Sequence, residues 1–118
     1  MAHGHTITIT PSDTHVEVVV NGTTVAVSDH PMLLDETGLP TRYYLPRDDV
    51  RLELFRKTGF ETTCPFKGQA SYWSLDLDGE VFDGLVWSYE TPLPGAEAIA
   101  SLMCFYPDRV AMKVGSAA

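Results

Sequence analysis

The stretch His15-Val16-Glu17-Val18-Val19-Val20-Asn21-Gly22-Thr23-Thr24-Val25-Ala26-Val27-Ser28 decides the class of fold. Two β-branched runs flank an Asn-Gly pair. Both central positions of a two-residue hairpin turn need positive φ, which Asn and Gly tolerate. His15–Val20 and Thr23–Ser28 therefore read as paired strands. A lone hairpin is marginal in water, so more sheet must pack on it.

The same pattern recurs outward. His5–Thr10 alternates polar and β-branched residues and is broken by Pro11-Ser12-Asp13. Gln69–Leu77 and Val81–Tyr89 form a second hairpin across Asp78-Gly79, closed off by Pro92 and Pro94. Thr41–Leu45 is short and extended, because Pro46 keeps the residue before it out of the helical region. Leu102–Tyr106 and Arg109–Val114 read as a final strand pair across Pro107-Asp108. Helical character is confined to short pieces. Met32–Glu36 reads as one turn stopped by Gly38 and Pro40. Arg47–Val50 reads as a helix start with acids where the macrodipole favours them, and Ala96–Ser101 as a run of good helix formers. Val50–Phe55 fits either helix or strand, and the tail from Gly115 reads as frayed. The expectation is a mainly-β domain over 1–118, two antiparallel sheets with two or three short helices. Val18, Val20, Val25, Tyr72, Leu75, Val86, Phe105 and Val110 are its core candidates.

The chain has 118 residues, 44% hydrophobic and 20% charged, which suits one globular domain. No apolar run approaches the roughly 20 residues of a membrane helix. The N-terminus lacks the basic and then apolar regions of a signal peptide, so the expected location is cytoplasmic. A net charge of -8 with only eight Lys and Arg argues against wrapping nucleic acid, yet leaves room for one anion held by local cations. Cys64 and Cys104 are too few for a four-cysteine zinc site.

Chemically able groups are densest in Thr62–Trp73, Thr-Thr-Cys-Pro-Phe-Lys-Gly-Gln-Ala-Ser-Tyr-Trp. Cys64 is a candidate nucleophile if the Lys67 ammonium lowers its pKa, and otherwise a small buried hydrophobe. Cys104, between Met103 and Phe105, reads as core. Lys67 beside Gly68 offers a point charge next to bare backbone, an anion site or simply a turn lysine; the Walker pattern is absent. Arg47 either holds an anion or pairs with Asp49 or Glu36. Trp87 and Tyr89 share a strand face, whereas Tyr43 and Tyr44 point oppositely. Rings with polar tips suit a small planar ligand, and about half of them should be core. Asp76-x-Asp78 has the spacing for a metal-holding carboxylate pair, but Asp78-Gly79 is better explained as a turn. His3 and His5 fall on one strand face without a helical metal spacing.

Several strings look like one family: Asn21-Gly22 with Val25-Ala26-x-Ser28, Leu34-x-Glu36, Tyr43-Tyr44-x-Pro46-Arg47-x-Asp49-Val50, Thr63-Cys64-Pro65-x-Lys67-Gly68, Ala70-Ser71-Tyr72-Trp73, Trp87-Ser88-Tyr89 and Phe105-Tyr106-Pro107-Asp108. Together they resemble the small bacterial family called domain of unknown function 427, also labelled nucleotidyltransferase-like. The resemblance implies a β-tent-like fold, two antiparallel sheets meeting at an angle with a cleft near their open side. Related tents bind zinc through paired cysteines, which this chain lacks.

These readings converge on a small-ligand-binding domain, with or without enzymic activity on an anionic or nucleotide-like molecule. Cys64 and Lys67 are its candidate catalytic residues. Tyr44, Arg47, Trp87, Tyr89 and Glu36 are its candidate binding residues, with no metal site and no cofactor assigned. The expected partner is a small anionic or aromatic ligand, not nucleic acid or membrane. The alternative is a non-catalytic module that docks a protein or forms a homodimer through an aromatic edge. The pocket reading requires the segment after Phe60 to bring its thiol and ammonium to one hollow with Arg47 and Trp87.

Overall fold

The computed structural model describes residues 5–115. His3 and Ser116–Ala118 lie outside the described residues. Among the described residues there are ten strands: β1 (Ile7–Pro11), β2 (His15–Val20), β3 (Thr23–Ser28), β4 (Met32–Glu36), β5 (Arg42–Leu45), β6 (Phe55–Cys64), β7 (Gly68–Leu77), β8 (Glu80–Ser88), β9 (Met103–Phe105) and β10 (Ala111–Gly115). Seven form one antiparallel sheet in the order β1-β4-β5-β9-β8-β7-β6, and three form a second in the order β10-β2-β3. The helical pieces are single 3-10 turns at Arg47–Asp49, Leu52–Leu54 and Glu97–Ile99.

Both hairpin turns have the backbone their residues demand. Asn21 and Gly22 have φ of 48° and 81°, and Asp78 and Gly79 have 51° and 82°. The small sheet turns Val16, Val18, Val20, Val25 and Ala26 onto Leu45, Trp73, Leu75, Val86, Met103 and Phe105 of the large one. Of the core candidates, Val18, Val20, Val25, Leu75, Val86 and Phe105 are buried here, and Val110 packs half-buried against them. Tyr72 instead belongs to the opposite face of the large sheet.

That opposite face follows from strand alternation. Val86 and Trp87, Leu45 and Tyr44, and Phe105 and Cys104 are neighbours in sequence, so the second of each pair points away from the inter-sheet core. Leu34, Ala70 and these three residues form a second cluster. The segment after β8 folds back to complete it with Tyr89, Ala96 and Ile99.

Three expectations are corrected. Met32–Glu36 is a strand, not a helical turn: Leu34 and Glu36 are buried, Asp35 is exposed, and β1 and β5 pair on either side. Tertiary pairing overrides the helix propensity of Leu and Glu. Second, β9 and β10 do not pair with each other. Met103-Cys104-Phe105 is buried on both faces and inserts between β5 and β8, whereas the largely exposed β10 lies on the edge of β2. Gly115, expected to fray, pairs with His15. Third, Ala96–Ser101 supports only the Glu97–Ile99 turn, because Gly95 and Ser101 take positive φ on either side of it.

Leu75 is fully buried between the sheets and Val81 is 49% exposed. In urea denaturation, Leu75→Ala is expected to lose about 2–5 kcal/mol. Val81→Ala is expected to stay within about 0.5 kcal/mol of the parent chain. Equal losses would contradict this assignment of the core.

Candidate functional site

Cross-strand partners in a sheet point to the same face. Met32 pairs with Tyr44, Tyr44 with Cys104, Cys104 with Trp87, and Trp87 with Tyr72. One row of side chains therefore crosses β4, β5, β9, β8 and β7. In the adjacent row Leu34 pairs with Arg42, two residues before Tyr44 on β5. Arg42, Tyr44, Trp87 and Tyr72 of these rows line a cavity of about 210 Å³, together with Glu36, Lys67 and Tyr89.

The rings are tied to one another. Trp87 Nε1 donates to the Tyr44 hydroxyl at 3.1 Å, with the two rings edge to face at 6.3 Å. Burial raises the pKa of the Tyr44 and Tyr89 phenols well above the ordinary tyrosine range, so both stay neutral. Burial does the same to the Cys104 thiol, a core residue, as its apolar neighbours suggested.

Lys67 and Glu36 form a buried ion pair, Nζ to Oε1 at 2.5 Å. Glu36 Oε2 also meets His5 Nε2 at 2.9 Å, and the His5 ring stacks on Phe66 at 3.8 Å. Burial pushes the Glu36 carboxyl up, but Lys67 and His5 together more than offset this, and its pKa lies below the usual value. The ammonium also lies 5.9 Å from the Tyr89 ring.

Gly68 sets the geometry of this lysine. Its φ is +113°, and a Cβ there would come within 3.3 Å of the Leu93 backbone nitrogen. That nitrogen donates to the Lys67 carbonyl at 2.9 Å. The bare backbone at Gly68 thus admits the Pro92–Leu93 chain, not a ligand.

Glu36, Tyr44, Lys67, Trp87 and Tyr89 converge on the cavity. Arg47 and Cys64 do not line it. Arg47 lies on the inter-sheet side, its guanidinium 4.9 Å above the Trp73 ring. There it donates to the Ser101 carbonyl at 2.6 Å and pairs with Glu90 at 3.3 Å, not with the expected Asp49 or Glu36. Lys57 joins the same carboxylate at 2.7 Å, and together these cations hold the Glu90 pKa down, Lys57 contributing most. Arg47 is thus committed to a structural cluster. Cys64 is half-buried at the end of β6, packed against the second cluster. The Lys67 ammonium, on which the nucleophile reading of Cys64 depended, faces Glu36. Asp76 pairs with Arg56 at the surface, and Asp78 is a turn residue.

Arg42 is the functional candidate that the sequence reading missed. Its guanidinium lies 5.5 Å from the Trp87 ring centroid. Among the described residues it makes no ion pair or side-chain hydrogen bond. The available signal was its spacing: two residues from Tyr44 on one strand means one face. Tyr72 and Tyr106 also line the cavity. Among the described residues no group of three or more His, Cys, Asp and Glu side chains is placed to hold a metal ion, and no helix is long and apolar enough to cross a membrane.

No curated protein matches the chain significantly. The family described as "Domain of unknown function (DUF427)", named NTP_transf_9, matches residues 8–115, from β1 to the end of β10. Both sheets and every cavity-lining residue fall within that match, and the chain belongs to this family of domains of unknown function, whose name carries a nucleotidyltransferase-like label.

Proposed function

We propose that the cavity binds the anionic group of a small molecule, beside its aromatic side chains. The observation behind this reading is Arg42, a guanidinium resting on an indole at a cavity wall with no protein counter-ion among the described residues. Inside the cavity Arg42 and Lys67 oppose the single carboxylate Glu36, so the local balance is positive although the chain carries -8. A planar guanidinium engages carboxylate or phosphate through two parallel hydrogen bonds, and Trp87 limits its freedom to swing away. The neutral phenols of Tyr44 and Tyr89 stand beside these charged groups in the lining.

At about 210 Å³ the cavity is smaller than a typical drug-sized pocket, which favours a compact anionic group. A nucleotide-like molecule, as the family label suggests, has such a group. A recessed cavity with converging polar tips supports this reading over a flat docking module, which needs an exposed apolar patch.

Titrating the chain with inorganic phosphate and with benzoate, followed by amide chemical shifts, tests the proposal. Arg42→Ala should weaken binding by about tenfold or more, the loss of a charge-assisted contact. Arg47→Ala should leave affinity within about twofold, since that arginine is engaged at Trp73 and Glu90. Absence of binding by the parent chain, or loss in the Arg47 variant alone, would reject the site.

The ion pair makes a separate prediction. The Glu36 pKa is lower folded than unfolded, so its contribution to stability is complete above the ordinary carboxylate range, about 4.3, and is lost as pH falls through the folded value. Glu36→Gln should flatten that acid limb of the melting temperature against pH. At neutral pH the same variant frees the Lys67 ammonium and should bind phosphate more tightly than the parent chain. An unchanged acid limb would show that the pair does not operate as described.

A further inference from the structure

A second, larger cavity of about 630 Å³ adjoins the first on the same face of the seven-stranded sheet. Tyr72 and Tyr106 line both, so the two hollows share a wall. The rings form a continuous strip. Trp87 stands 4.5 Å from Tyr106, and Tyr72 stands 5.1 Å from Phe60 at the far end. Phe60 is 62% exposed, a large apolar ring left open to solvent beside a hollow.

The polar groups of this groove differ in kind from those of the first cavity. Asp83 and Asp108 line it, and among the described residues neither carboxylate makes a hydrogen bond or ion pair. Arg109 also lines it, donating one N–H to the Gly84 carbonyl at 3.3 Å and lying 5.9 Å from the Tyr106 ring. The groove therefore offers two carboxylate acceptors against one guanidinium, with aromatic faces, where the first cavity offers two cations against one carboxylate. Carboxylates accept hydrogen bonds from hydroxyls, and rings receive the apolar face of a saturated ring.

We propose that the groove receives the polyhydroxylated, sugar-like body of a ligand whose anionic group sits on Arg42. The ligand class is a phosphorylated or carboxylated sugar. The inference rests on the anion reading for its head group and adds the identity of the body. Tyr72 and Tyr106 lie where head and body meet. Asp83 and Asp108 accept from hydroxyls of the body, and Phe60 closes its outer end.

Calorimetric titration of the full chain with inorganic phosphate, ribose and ribose 5-phosphate tests this. Ribose 5-phosphate should bind about tenfold more tightly than phosphate, the gain from hydroxyl contacts to charged acceptors. The double variant Asp83→Ala with Asp108→Ala should lose that gain while holding phosphate as the parent does. Both aspartates are exposed, and an unchanged melting temperature verifies the fold. Equal affinity for phosphate and ribose 5-phosphate, or a gain that survives in the double variant, overturns the sugar groove and leaves the anion site standing. A gain over phosphate that persists undiminished in Arg42→Ala overturns the link between the groove and Arg42. Failure of both phosphate and ribose 5-phosphate to bind overturns both readings.

Discussion

Register in the seven-stranded sheet is the constraint on which the rest depends. Met32, Tyr44, Cys104, Trp87 and Tyr72 become neighbours because five strands pair in one alignment. A slip of one residue in any strand would send its member of the row to the other face. What prevents the slip is burial on that other face. Leu45, Val86, Phe105 and Trp73, each next in sequence to a member of the row, are locked against the valines of the small sheet. The inter-sheet core thus aligns a surface it never touches.

The cations divide by what each strand position allows. Arg47 lies on the inter-sheet side, where Glu90, the Ser101 carbonyl and the Trp73 ring engage it. Lys67 is carried into the cavity by a turn that only a glycine at 68 can close against Leu93, and there it meets Glu36. Removing one member of such a pair strands the other charge, so the two act as a unit. Arg42 alone of the three keeps its hydrogen-bonding capacity open among the described residues.

The strands with alternating or β-branched patterns were legible at once: His15–Val20, Thr23–Ser28 and the pair around Asp78-Gly79. β6 was less so. Arg56, Lys57, Thr58 and Gly59 give no apolar period, because this strand is an exposed edge whose charges also deter pairing with other chains. β4 reads as helical in isolation because Leu and Glu are good helix formers, and only pairing on both sides makes it a strand. Glu36, Tyr44, Lys67, Trp87 and Tyr89 could be gathered from the sequence since they lie in the strings that resemble the family. Arg47 was chosen and Arg42 passed over: the spacing puts Arg42 on the Tyr44 face, but which face of β5 borders the cavity is set by pairing with β4 and β9.

By itself the sequence determined the β class, the hairpin turns and the alternation that separates core from second face, since these are local steric and period-two properties. Tertiary structure alone decided which strands became neighbours, which arginine faces Trp87, and that the Lys67 charge is spent on Glu36 instead of Cys64. Those outcomes depend on contacts between residues about 30 to 60 positions apart, and no local preference of the chain encodes the pairing order that brings them together.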